Sequence, residues 1–307
     1  MTKITRFDES SIESLRLMLS YGIDKEEAIK NACEIRQITP EFIREFKEYI
    51  TSESFSKSYM LSMDMINAYP ELFDKNMWAE GKHIDIALLF DPSFYALYGH
   101  SLTSEDLTVI DRCLMTDITR EQMEMYFFTA AESTKLVLLS HAIDNLSDDD
   151  IVNTISTNKC CLKSSSLSKR MTGDMANKII ENSTDITLTF VLTMYLRTKD
   201  ISLVKQIISS PEKLSIDTET NNKLWQQICE YLPEDILTQV IALGEKYCTN
   251  AINYSTLAYC LRFKEFEEDD LMSIADSFKR NNLVKALCSY ARARDYENLI
   301  CLLVLST

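Results

Sequence analysis

The sequence predicts an all-α protein, and three observations carry that prediction. Glycine and proline are scarce, every strongly periodic apolar segment has helical spacing, and helix start signals recur along the chain. Only 5 Gly and 5 Pro occur in 307 residues, where average usage of about 7% and 5% would supply roughly 21 and 15. Turn-rich sandwiches, propellers and Gly-loop nucleotide folds therefore lack their raw material. Apolar residues make up 46% of the chain, enough for a sizeable core. The expected architecture is an irregular helix-pair repeat (HEAT/armadillo-like) solenoid or a multi-helix bundle, carrying a small N-terminal three-helix module.

That module spans residues 1–51. Ile12, Leu15 and Leu19 form one helical face, and Gly22 sits where a helix end takes the left-handed conformation. Asp24 and Glu27 have capping-box spacing and open a second helix, with Ala28, Ile29, Ala32 and Ile35 directed inward. Thr39 followed by Pro40 is an N-cap with a first-turn proline, opening a third helix with Phe42, Ile43, Phe46 and Ile50. The pattern Leu17-Met18-Leu19, Tyr21-Gly22-Ile23, Glu26-Glu27-Ala28 is similar to ubiquitin-associated domains, although its first turn departs from their usual Met-Gly-Phe. The same stretch has helix-turn-helix spacing, but Glu34, Glu41, Glu45 and Glu48 carry the wrong sign to face phosphate. A capping or packing bundle is the expectation.

The polar, serine-rich residues 51–58 read as a connector, followed by an acidic helical half at 59–157 and a second helical half at 170–307. Four segments share one style of helix entrance: Leu102 to Leu107, Leu146 to Ile151, Leu232 to Leu237 and Phe266 to Leu271. Each has an apolar residue before the cap, acids in the first turn that complement the helix dipole, and an aliphatic residue turned inward. Their starts lie 44, 86 and 34 residues apart, near one or two helix-pair repeats of roughly 40 to 47 residues. Between them lie further periodic helices at 125–143, 188–196, 224–232 and 254–263. The basic stretch 158–169 reads as a joint, and 209–222 as a long connector.

Chemistry-bearing patterns are sparse. No Gly-rich phosphate cradle or nucleophile elbow occurs, and the three histidines, His83, His100 and His141, are far apart in sequence. Glu80 and His83 make one isolated Glu-x-x-His, and the adjacent Cys160 and Cys161 lack metal-ligand spacing. No metal or cofactor is expected. The nine cysteines sit mostly singly in apolar runs, so reduced thiols, buried except at Cys160 and Cys161, are expected, with an intracellular, cytoplasmic location. No apolar run approaches the length needed to span a bilayer.

Charge narrows the partner. The net charge is −15, with −8 in residues 101–150 and +3 in 151–200. Such a chain repels nucleic acid and anionic membranes at long range, so direct nucleic-acid or membrane binding is disfavoured. Residues 102–150 hold 11 acids, among them Glu105, Asp106, Asp111, Asp148, Asp149 and Asp150, against three cations. These six are the candidate partner-binding residues, and the partner expected is another protein with a basic surface. The expected function is therefore a non-enzymatic protein–protein interaction module, an adaptor or inhibitor. Two alternatives stand beside it: an acidic mimic of nucleic acid that blocks a DNA- or RNA-handling enzyme, and an enzyme whose site is assembled from distant residues.

Overall fold

Side-chain caps set where helices begin. In a computed structural model describing residues 6–163, 170–217, 222–248 and 253–304, Asp8 accepts from the Ser11 amide, Asp24 from Glu27, Thr39 from Phe42, Thr119 from Gln122 and Thr187 from Phe190. Each cap satisfies one amide that the first helical turn leaves unpaired. The described residues form 22 α-helices and no strand. None of these helices is long and apolar enough to cross a membrane.

The chain divides into two units, Met1–Leu146 and Ser147–Thr307. Unit 1 holds α1 (Glu9–Ser20), α2 (Lys25–Ile35), α3 (Pro40–Phe46), α4 (Ser52–Ser56), α5 (Met63–Ala68), α6 (Lys75–Ala79), α7 (Ile86–Leu89), α8 (Pro92–Tyr98), α9 (Val109–Cys113), α10 (Arg120–Phe127) and α11 (Glu132–Ala142). The second and third helices match the predicted starts, and Gly22 adopts a φ of 84° just after the α1 cap. Ile35, expected to face inward, is exposed because α2 ends there and Arg36 turns extended. The serine-rich connector is instead a helix: Thr51 and Ser54 form a capping box, and α4 buries Phe55 completely. The periodic stretch 125–143 is broken between α10 and α11, where the chain turns after Phe128.

An aromatic cluster fills the middle of unit 1. Phe94 packs at 5.1 Å from Trp78, 6.0 Å from Phe73 and 5.3 Å from Tyr98, between ring centroids. Tyr126 stacks edge-on to Phe90 and Tyr95 and donates its hydroxyl to the Leu89 carbonyl at 2.7 Å. Burial pushes that phenol well above its ordinary pKa.

Unit 2 holds α12 (Asp148–Thr157), α13 (Gly173–Asn182), α14 (Leu188–Thr198), α15 (Ile201–Ser209), α16 (Asn222–Tyr231), α17 (Glu234–Tyr247), α18 (Tyr254–Phe263), α19 (Glu268–Ser273), α20 (Ala275–Arg280), α21 (Val284–Arg292) and α22 (Glu297–Val304). From α13 to α19, helices two apart are neighbours. One row runs α12, α13, α15, α17, α19, α22, and a second runs α14, α16, α18, α21. Starts in the second row are 188, 222, 254 and 284, so its steps are 34, 32 and 30 residues. The core between the rows is largely aliphatic, with Ile179, Leu203, Val240 and Leu257 fully buried.

Backbone ties recur at nearly the same step. Ile186 bridges Leu214, and Asp217 bridges Cys248. The expected connector at 209–222 thus carries a 3-10 turn, Pro211–Lys213, and two of these bridges, with 218–221 outside the described residues. In the joint, Lys159–Lys163 is likewise a 3-10 turn, and 164–169 lie outside. All nine cysteines were expected reduced, but α16 and α18 place Cys229 and Cys260 side by side as a disulfide, with Cα atoms 5.5 Å apart. That separation is ordinary for a disulfide. Cys161, expected to be accessible, is buried, whereas Cys301 is exposed.

Candidate interaction surfaces

The six acids singled out by charge fall into two groups with different surroundings. In unit 1, Glu105 and Asp106 line an open cleft of about 640 Å³ together with Glu80 and Arg112. Asp106 is fixed by local bonds: its carboxylate accepts from the Thr103 amide and hydroxyl, both at 2.8 Å, and Thr103 accepts in return from the Asp106 amide. Glu80 is bound to Lys57 at 2.9 Å, and Arg112 donates to the Ala79 carbonyl. Glu105 is exposed and has no ion pair among the described residues. Asp111 is also exposed and accepts from Ser133 at 3.1 Å.

In unit 2, the three consecutive acids have work within the fold. Asp148 pairs with Arg170 and Asp149 with Lys178, each at 3.1 Å. Asp150 completes the capping box of α12, accepting from the Ser147 hydroxyl at 2.6 Å. Two of these carboxylates therefore tie α12 to the segment around α13. Exposed pairs of this kind contribute about 0 to 1 kcal/mol, and they neutralise part of the field that the sequence concentrates there. The cations that do this, Arg170 just before α13 and Lys178 within it, are invisible to a charge sum that stops at residue 150.

The histidines occupy separate local settings. His83 lies against the Tyr59 ring at 5.3 Å, His100 against Tyr95 at 4.9 Å, and His141 lies in the last turn of α11, its carbonyl accepting from the Ile118 amide. No described carboxylate or thiol hydrogen-bonds any of the three rings. Among the described residues, no group of three His, Cys, Asp or Glu side chains is placed to hold a metal ion. Glu80 and His83 follow the end of α6 and share no helical face.

Side chains that burial alone would hide are also on view. Leu17, Met18, Tyr21 and Ile23, around the end of α1, are all exposed. On α18, Tyr254 and Phe263 are 59% and 55% exposed. No protein-family model, curated protein or solved structure matches the chain. The likeness of residues 17–28 to ubiquitin-associated domains accordingly rests on that short pattern alone.

Proposed function

We propose that the protein is a non-enzymatic protein-binding module, an adaptor or inhibitor, built on stacked helix pairs. The observation that carries this reading is the succession of helices in unit 2. Two rows advance together, one pair about every 30 residues, as the starts of α14, α16, α18 and α21 illustrate. Each pair buries its apolar faces against the next, so successive outer faces line up as an extended surface for another macromolecule. The step is shorter than that of HEAT or armadillo pairs and irregular in length, so an irregular helix-pair solenoid describes unit 2 better than a bundle. Work in such a protein is done by exposed faces, in a cell compartment that the chain meets as a soluble species.

On this reading Glu105, Asp106 and Asp111 are the acids of unit 1 that meet a basic protein surface. Asp148, Asp149 and Asp150 serve first as ties and caps. A field of exposed carboxylates steers a cationic partner and raises its association rate more than it slows dissociation. The test is to recover the partner from the native source, purify it and reconstitute the complex with the full chain. The reading predicts a stoichiometric complex that survives His83→Ala, His100→Ala and His141→Ala together and associates more slowly with Glu105→Gln, Asp106→Asn, Asp111→Asn. Turnover of a small molecule that is lost in the triple-histidine variant would replace it with an enzyme.

A further inference from the structure

Charge in unit 2 is sorted by row. Helices α12, α13, α15, α17, α19 and α22 together carry twelve acids and three cations, whereas α14, α16, α18 and α21 carry five cations and a single acid, Glu230. In a chain of net charge −15 a helical row with that balance stands apart. The cations are Arg197, Lys223, Arg262, Lys285 and Arg292, all exposed. None of them has a carboxylate partner among the described residues, as is also true of Lys205 and Lys246 in the other row, whereas Arg170, Lys178, Lys264 and Arg280 are paired.

Between α14 and α16 runs a groove of about 450 Å³ lined by Thr193, Leu196, Arg197, Lys223, Leu224 and Gln227. It presents two unpaired cations, one hydroxyl and one amide beside two leucines. On the next helix of the row, Tyr254 and Phe263 stand exposed, and Arg262 lies over the Phe263 ring at 5.3 Å. In each of the three helices the cation has an apolar or aromatic neighbour in sequence: Leu196 before Arg197, Leu224 after Lys223 and Phe263 after Arg262. We infer that the row formed by α14, α16 and α18 is a docking surface for an acidic, amphipathic segment of another protein. This inference rests on the reading of the chain as a protein-binding module.

Charge complementarity selects that occupant. An anionic segment supplies the carboxylates that Arg197, Lys223 and Arg262 lack, and its apolar side chains cover Leu196 and Phe263. Bidentate pairing of a carboxylate by an arginine fork adds geometry to charge. A nucleic acid is a poorer match. Its recognition takes a dense basic stripe, whereas each of these three helices offers one cation beside apolar side chains.

The experiment titrates the full chain with a fluorescein-labelled peptide of about 18 residues, five helical turns. The peptide carries Leu and Phe at i, i+3, i+4 and i+7 spacing with Asp and Glu between. Three controls accompany it: the same peptide with Lys for every acid, the same with Ser for every Leu and Phe, and a single-stranded oligothymidylate. The expected result is saturable binding of the acidic amphipathic peptide alone. Arg197→Glu, Lys223→Glu, Arg262→Glu together weaken it by at least about tenfold, the Gln series weakens it less, and Lys205→Glu in the opposite row leaves it unchanged. Equal binding by the charge-reversed triple variant with an unchanged helical circular dichroism spectrum overturns the inference, and so does tighter binding of the oligothymidylate. If the peptide fails while a stoichiometric protein complex forms through other residues, this surface falls and the protein-binding reading stands. If no protein complex forms at all, both fall.

Discussion

Residues 52–113 of unit 1 and residues 173–263 of unit 2 reach a packed helical core by different means. In the first stretch the α-helices run 4 to 7 residues, whereas in the second they run 9 to 14. A helix of one or two turns presents one or two side chains to the core, so each must be large. Aromatic side chains bury about 150–250 Å² apiece, and the short helices of this stretch spend Phe55, Trp78 and Phe94 in this way. A helix of three turns presents an i, i+3, i+4, i+7 stripe, which aliphatic residues such as Leu203, Val204 and Ile207 fill. The lesson is that short helices are held by ring clusters and caps, long ones by stripes.

The largest expected effect follows from the ring cluster. Phe94→Ala empties a fully buried site touching Phe73, Trp78 and Tyr98, and large aromatic truncations of this kind cost about 3–5 kcal/mol. An aliphatic trim in unit 2, Ile241→Val, costs about 0.5–1.5 kcal/mol. Denaturant unfolding checks the contrast, with Phe94→Ala followed by Trp78 in a Trp225→Phe background and Ile241→Val followed by Trp225 in a Trp78→Phe background. Similar midpoint shifts in the two would break the comparison.

Caps come next. Asp91 accepts from two amides at the start of the seven-residue α8, at 2.8 and 3.2 Å, whereas Thr187 accepts from one at the start of the eleven-residue α14. Loss of a cap costs about 0.5–2 kcal/mol. Asp91→Ala should fall at the upper end and Thr187→Ala at the lower, measured by thermal or urea unfolding.

The helical character of the chain, its first three helices and three of the four acidic entrances are legible in the sequence, because caps, a Pro at the first turn and the residue at Gly22 act locally, whereas Leu102 to Leu107 opens a 3-10 turn, Asp106–Thr108, before α9. The short helices between 63 and 98 are not. Four to seven residues show no period, and α4 is hidden in a serine-rich run whose Phe55 is buried only by tertiary packing. The step of the rows was also obscured, since the entrance style marks only some starts. The sorting of charge in unit 2 escapes a sum over 50-residue blocks because helices of the two rows alternate along the chain, so acids of one row cancel cations of the other. A separation of 31 residues between Cys229 and Cys260, close to the 32-residue step from α16 to α18, is the one signal that would have foretold their pairing.

Thiol chemistry gives a subtler contrast. Burial pushes the Cys33 thiol in unit 1 and the Cys248 thiol in unit 2 up to about 12, with Glu34 and Asp217 adding repulsion. Thiolate is the reactive form, so neither should label at pH 8 in the folded state, while Cys301 labels first. Labelling followed by peptide mass mapping checks the order, and rapid reaction of Cys33 would mean that unit 1 opens more readily than its ring cluster implies.

The smallest effect concerns the acidic helix entrance of α12. Asp149 and Lys178 are both largely exposed, so Asp149→Asn should change stability by less than about 1 kcal/mol. Asp270 in α19 has its pKa raised by burial and by neighbouring Asp235. A carboxyl raised in the fold favours the protonated form, so its ionisation disfavours folding above that pKa and the penalty lifts as pH falls through it. Asp270→Asn should accordingly give an equal or slightly higher Tm at pH 7, and a marked decrease would mean that the ionised carboxylate has a favourable partner.

The proposed docking of an acidic segment of another polypeptide on the row α14, α16 and α18 is tested most directly by amide hydrogen exchange of the full chain with and without a saturating acidic amphipathic peptide. The account predicts added protection on α14, α16 and α18, with the acidic row α13, α15 and α17 and the whole of unit 1 unchanged. Added protection confined to the acidic row or to unit 1, or none anywhere at saturation, would contradict it.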